Sequence, residues 1–199
     1  MNKEKVFSAR NITYFAILLA LVVVLQTTLG SIKIGATSFS VVLIPIVVGS
    51  ILLGPIAGGI LGFVFGLIVL IYGITGADAF TNVLFNGAPI MTILTCIVKG
   101  VVAGFVPGLL YKLLAPKNQT LATIVSALVA PILNTGLFIL GALCMSGVIS
   151  NNFVADGQTV IYFLVIVCAG INFLVEFAVN AVVSPGLARV VQVIEKRVK

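Results

Sequence analysis

Ionisable and amide side chains inside the apolar segments are the residues of this sequence with the clearest chemical potential. Lys99 lies about 11 residues into the apolar segment 88–114. Glu176 follows Asn172 by four residues and precedes Asn180 by four, which places all three on one helical face. A charge at the centre of a transmembrane helix costs at least ~2.5–3.5 kcal/mol, so a partner or ligand must compensate it. The pattern is suited to binding a polar, anionic ligand.

Other polar residues extend this pattern to neighbouring segments. Thr95 shares a helical face with Lys99, and Asn134 lies midway along the segment 121–149. The loop 73–87 adds two amides that could close over a ligand. The predicted substrate-binding set is Lys99, Asn134, Asn172, Glu176, Asn86, Asn82 and Thr95. Two interpretations remain open: a structural Lys99–Glu176 pair, or a polar cavity in which Lys99 faces an anionic group of the substrate.

The residues needed for most enzyme and metal chemistry are missing. The chain has no histidine, which removes Ser-His and Cys-His catalysis and His-ligated zinc. The three cysteines lie in apolar runs without metal-ligand spacing, so we expect small core side chains at Cys96, Cys144 and Cys168. We therefore expect no catalytic residues, no metal and no cofactor, and a membrane enzyme is disfavoured.

Composition indicates the elements that position these groups. The chain has 199 residues, of which 61% are hydrophobic and 8% charged, with a mean hydropathy of +1.31. A soluble domain needs more charge to cover its surface. A transmembrane helix uses roughly 20 residues, so we predict an all-α integral membrane bundle of six transmembrane helices, forming a single domain over residues 1–199.

Breaks in the apolar pattern give the predicted spans. They cover about 12–29, 39–53, 56–72, 88–114, 121–149 and 159–183. Ser184-Pro185-Gly186 is expected to break or kink the last span before a basic amphipathic cytoplasmic tail, 184–199. The start resembles a signal peptide, but no small-x-small cleavage site follows it, so a retained first span is expected.

The distribution of basic residues predicts the orientation. With six spans, nine lysines and arginines fall on the side of both termini, one (Lys33) on the other side, and Lys99 inside a span. Cytoplasmic loops carry the excess of basic residues, so both termini are predicted to be cytoplasmic. The loops 30–38, 73–87 and 150–158 would then face outside.

Small residues at four-residue spacing predict where helices pack, because close approach of backbones drives association in lipid. The third span carries Gly54, Gly58, Gly62 and Gly66, and the fourth carries Gly100, Gly104 and Gly108. Ala16 and Ala20 form a small-xxx-small pair in the first span, for which ordinary packing is the plain interpretation.

The whole chain resembles the substrate-binding (S) component of an energy-coupling-factor (ECF) vitamin transporter. The resemblance lies in the length, six spans, cytoplasmic termini, the Ala-xxx-Ala pair, LLGPIAGGILGFVFGL and VKGVVAGFVPGLLYK. It implies a subunit that binds a vitamin from outside and docks through Ala16 and Ala20 on a transmembrane scaffold subunit. Two ATPase subunits would drive uptake; this chain has no G-x-x-x-x-G-K-[ST] phosphate loop. The implied location is a bacterial cell membrane.

The substrate is indicated less directly. The segment from Ile44 to Lys99 is most similar to the pantothenate-type branch, although Lys99 stands where that branch is expected to have arginine. Lys99 with Asn134, Asn172 and Asn86 would suit the carboxylate, hydroxyls and amide of pantothenate. The alternatives are riboflavin, a pyrimidine- or pyridoxine-type vitamin, or a stand-alone secondary carrier, whose ion pathway would use Pro131 and the buried ionisable pair.

Overall fold

The computed structural model describes the backbone of residues 9–28, 33–34, 37–38, 41–155 and 157–198. Side chains are described for residues 9–28, 41–155 and 157–194. The predicted end of the first span at residue 29 and start of the second at residue 39 lie outside the described residues. The elements are α1 (Ala9–Thr28), β1 (Lys33–Ile34), β2 (Thr37–Ser38), α2 (Leu43–Leu52), α3 (Pro55–Thr75), α4 (Ala79–Gly87), α5 (Pro89–Leu114), α6 (Gln119–Leu143), α7 (Ser146–Phe153), α8 (Val160–Tyr162), a π-helical segment (Phe163–Gly170) and α9 (Ile171–Val198). The two short strands form an antiparallel hairpin.

The long apolar helices confirm the prediction of an all-α membrane bundle. Five helical stretches in the described chain are long and apolar enough to cross a membrane, and α2 is a shorter apolar helix. Large apolar side chains are exposed along them, including Ile56 at 74% and Val182 at 80%. Exposed apolar surface of this extent is stable when it faces lipid.

Several helix ends differ from the predicted spans. Residues 79–87, predicted as part of a loop, form α4, and the predicted fifth span ends at Leu143, where α7 begins a separate helix at Ser146. Met145 contributes to this change because it has a non-helical backbone conformation and its buried side chain packs in the core. Local apolar runs alone give no signal for such a break, since both sides of it are apolar.

The predicted break or kink at Ser184-Pro185-Gly186 does not end the last helix, which continues to Val198. Proline has no N–H to donate to the carbonyl four residues earlier, here that of Ala181. The Ser184 hydroxyl donates to this carbonyl instead, at 2.9 Å. Side-chain hydroxyls of this kind let a membrane helix pass through a proline.

Glycines hold α3 and α5 together, as the spacing predicted. A Cβ added to Gly62 would collide with the carbonyl oxygen of Gly100, and one added to Gly58 with that of Gly104. Gly54 is the exception: it precedes α3 with φ at +103°, a conformation that favours glycine. Its role is therefore to make the turn between α2 and α3.

Helix α1 lies at the periphery of the bundle. Its buried side chains are Leu18, Val22 and Gln26, while Ala16 and Ala20 are exposed. Elsewhere α6 packs against both α5 and α9, and α5 and α9 do not form a packed pair. Alternation of the helices brings α4, α7 and the hairpin to one end of the bundle, called here the α4/α7 end.

Candidate functional site

A small cavity with a mainly apolar lining lies among α3, α4, α5 and α6. It is lined by Val69, Thr81, Leu84, Thr92, Thr95, Cys96, Lys99, Phe138 and Met145. Its volume is about 20 Å³, enough for a single water molecule, whereas small-molecule sites measure roughly 300–1,000 Å³. The cavity in this structure is therefore too small to hold a vitamin-sized molecule.

The ammonium group of Lys99 lies between two aromatic rings. Its Nζ is 5.2 Å from the ring centroid of Phe138 on α6 and 5.8 Å from that of Phe65 on α3. A cation over an aromatic face gains about 0.5–2 kcal/mol, so the rings hold the charge without neutralising it. Lys99 is thus positioned to attract an anion into the cavity.

Lys99 and Glu176 are not joined in an ion pair. Among the described residues, none of the acids lies within ion-pairing distance of Lys99. Helix α6 packs against both α5, which carries Lys99, and α9, which carries Glu176. Helix α6 is therefore a common neighbour of the two helices that carry these charges.

The amides on α6 and α9 are buried but do not line the cavity. Asn134 is 7% exposed, and its Oδ1 accepts no hydrogen bond within the described part of the chain. Asn172 donates to the carbonyl of Cys168 at 3.4 Å, and Asn180 donates to that of Glu176 at 2.8 Å. Of the predicted binding set, only Lys99 and Thr95 line the cavity.

The two asparagines of α4 serve that helix and the turn before it. Asn82 donates to the carbonyl of Gly73 at 2.7 Å, and Asn86 donates to the Asn82 Oδ1 at 3.1 Å. Asn86 is exposed. Both amides therefore stabilise α4 and the turn before it, and neither side chain lines the cavity.

Aromatic rings close the α4/α7 end above the cavity. Phe80 of α4 lies 4.9 Å from Phe153 of α7, which stacks on Phe163 of the π-helical segment at 5.8 Å. Phe80 is also 6.0 Å from Phe138, the ring beneath Lys99. The cover is thus apolar and continuous with the aromatic environment of the lysine.

Sequence reasoning missed several residues that build the site. Phe65 and Phe138, which flank Lys99, have no distinguishing feature among thirteen phenylalanines. Thr81, a lining residue, donates to the Asp78 Oδ2. An acid followed three residues later by threonine in the loop 73–87 was the available signal.

The described residues contain no group of three or more His, Cys, Asp or Glu side chains that could hold a metal. The cavity lining instead includes one cation and three threonine hydroxyls, each of which donates its proton within the protein and keeps its capacity to accept a hydrogen bond.

A family model decides what kind of protein carries this site. The model for the substrate-specific component of ECF transporters matches residues 10–188. This chain belongs to that family. A search of curated proteins found no match to the sequence.

Family membership confirms the resemblance and gives the site its context. The chain is a multi-pass membrane protein and a substrate-binding subunit of an ECF transporter. It is a transport subunit and not itself an enzyme. The family implies a small-molecule substrate and an ECF module as partner, so the cavity bordered by Lys99 within the bundle is the candidate substrate site.

Proposed function

We propose that this S component binds pantothenate, or a closely related small polar vitamin, as the high-affinity subunit of an ATP-driven importer in a bacterial cell membrane. The observation that carries the proposal is the position of Lys99. Its ammonium borders the cavity, flanked by two aromatic rings and without an acidic partner among the described residues. A partly buried cation within a membrane span is suited to a carboxylate.

The site proposed for the substrate is larger than the cavity in this structure. Lys99 would bind the carboxylate and Thr95 a neighbouring polar group. Asn134, with its free Oδ1, would enter the site as α4 and α7 open. Asn172 and Glu176 would form its α9 wall, and Asn82 and Asn86 would close over the substrate from α4.

The remaining parts of the proposal concern the partners and the membrane. Exposed Ala16 and Ala20 on peripheral α1 would form the surface that docks on the scaffold subunit. Two ATPase subunits would hydrolyse ATP. The α4/α7 end would face outside, with both termini in the cytoplasm, as the basic residues predict.

Equilibrium binding to the purified protein tests the role of Lys99. Lys99→Met should weaken pantothenate binding about ten- to a hundredfold, because it removes a buried charge-assisted contact. The neutral amide of pantothenate should bind both proteins almost equally. Lys112→Met is the matched control, since Lys112 is an exposed lysine near the opposite end of α5.

Two outcomes would contradict the assignment. Equal losses for the acid and the amide would show that Lys99 does not bind the carboxylate. Loss of folding in Lys99→Met that is restored by adding Glu176→Gln would instead identify a structural charge pair.

A further inference from the structure

Asp78 is a buried acid at the α4/α7 end, with its side chain 7% exposed. It directly precedes α4, a position where aspartate commonly accepts a hydrogen bond from the first backbone N–H groups of the helix. Here its side chain makes no such capping bond. The start of α4 therefore does not explain why a carboxylate is buried there.

The two oxygens of this carboxylate have different environments. Oδ2 accepts a hydrogen bond from the Thr81 hydroxyl, and Thr81 lines the cavity. Oδ1 is buried and accepts no hydrogen bond within the described part of the chain. Buried polar atoms nearly always have a partner, and a charged acceptor without one is costly. The orphaned oxygen is thus an acceptor held next to the cavity by one of its lining residues.

Asp78 and Lys99 are linked to the same cavity by different routes. Lys99 lines the cavity directly, whereas Asp78 is bonded to Thr81, which lines it. Asp78 itself does not line the cavity, but a carboxylate bonded to a lining threonine, together with a lysine in the lining, would complement a ligand that carries a hydrogen-bond donor and an anionic group.

We propose that Asp78 is a second anchor for the substrate, with its Oδ1 accepting a hydrogen bond from a hydroxyl or N–H group of a molecule whose anionic group is bound by Lys99. The inference rests on the proposed function and narrows its substrate class to small acids with a donor group distant from the carboxylate. The two hydroxyls of pantothenate meet this requirement.

The test pairs Asp78→Asn with two compounds: pantothenate, and its analogue in which both hydroxyls are replaced by hydrogen. Asparagine keeps the shape and leaves one oxygen for Thr81, but it removes the charge and places an NH2 donor where Oδ1 would accept from the substrate. Affinity for pantothenate should fall about tenfold, while affinity for the dideoxy analogue should change less than about threefold. Equal losses for the two compounds would overturn the proposal.

Thermal unfolding of the ligand-free proteins supplies a readout that needs no substrate. If Asp78 serves binding, Asp78→Asn should unfold at the same temperature as the wild type or higher, because it removes a buried charge. Wild-type protein that binds neither compound would contradict pantothenate as the substrate. In that case thermal unfolding would still test the role of Asp78. An unfolding temperature of Asp78→Asn equal to or above that of the wild type supports a binding role, and a lower one overturns it.

Discussion

Helices α3 and α5 meet backbone to backbone along their glycines, whereas the cavity toward α4 and α7 is bounded by side chains. The change occurs around Cys96: its carbonyl oxygen is the contact of Gly66, and its side chain lines the cavity. Below this level an added Cβ would collide with a carbonyl oxygen. Above it, the Asp78 Oδ1 is buried and accepts no hydrogen bond from the described residues. One region is thus closed by backbone packing, whereas the region proposed to bind the substrate is bounded by side chains.

The largest expected effect comes from disturbing the closed region. Gly62→Ala places a Cβ against the carbonyl of Gly100, on a backbone that cannot move without separating α3 from α5. Overpacking of this kind should reduce the free energy of unfolding by about 1–3 kcal/mol or more. Thermal unfolding in detergent measures it.

Gly136→Ala is the matched control, because a Cβ added there has nothing within 4 Å. It should leave the protein as stable as before or stabilise it by up to about 1 kcal/mol, since alanine favours the helix. Equal destabilisation by both changes would mean that α3 and α5 are not held by backbone contact.

The next effect separates binding from transport. Ala16→Trp or Ala20→Trp should abolish uptake in cells while leaving pantothenate binding within about twofold, because exposed α1 is remote from the cavity and a bulky ring prevents close helix approach. Ile17→Trp, about 100° around the same helix, should retain uptake. Binding that fails as badly as uptake would place these alanines in internal packing.

The hydrophobic and glycine patterns were sufficient to predict the closed region, because helix packing in lipid depends on local spacing along each helix. The packing of the α3–α5 glycines followed from such spacing, whereas for Ala16 and Ala20 the spacing favoured ordinary packing and the structure leaves both exposed. The same patterns placed residues 79–87 in a loop and predicted a break or kink at Ser184-Pro185-Gly186, through which the helix continues. Helix α4 and the Ser184 hydrogen bond to Ala181 depend on the fold around them.

Much less of the site could be predicted. Which phenylalanines flank Lys99, and whether Asn134 and Glu176 reach the same space, depend on how α6 lies between α5 and α9. A sequence records which face of a helix is polar but not which neighbour that face meets. The π-helical segment, which shifts the residues that follow it around the helix, likewise has no pattern of its own.

The smallest effect on the protein itself is expected from labelling, which tests which region faces outside. In a Cys144→Ser background, Asn151→Cys on exposed α7 should react with an impermeant maleimide added to intact cells, whereas Lys117→Cys between α5 and α6 should react only after lysis. Labelling of Lys117→Cys in intact cells would reverse the orientation and put the cavity at the cytoplasmic side.

Native mass spectrometry of the protein purified from cells supplied with pantothenate tests the central claim most directly. The account predicts one bound molecule with the mass of pantothenic acid on the wild-type protein and on Lys112→Met, and its loss from Lys99→Met. A retained molecule without an anionic group, or pantothenate retained equally by Lys99→Met, would contradict the account.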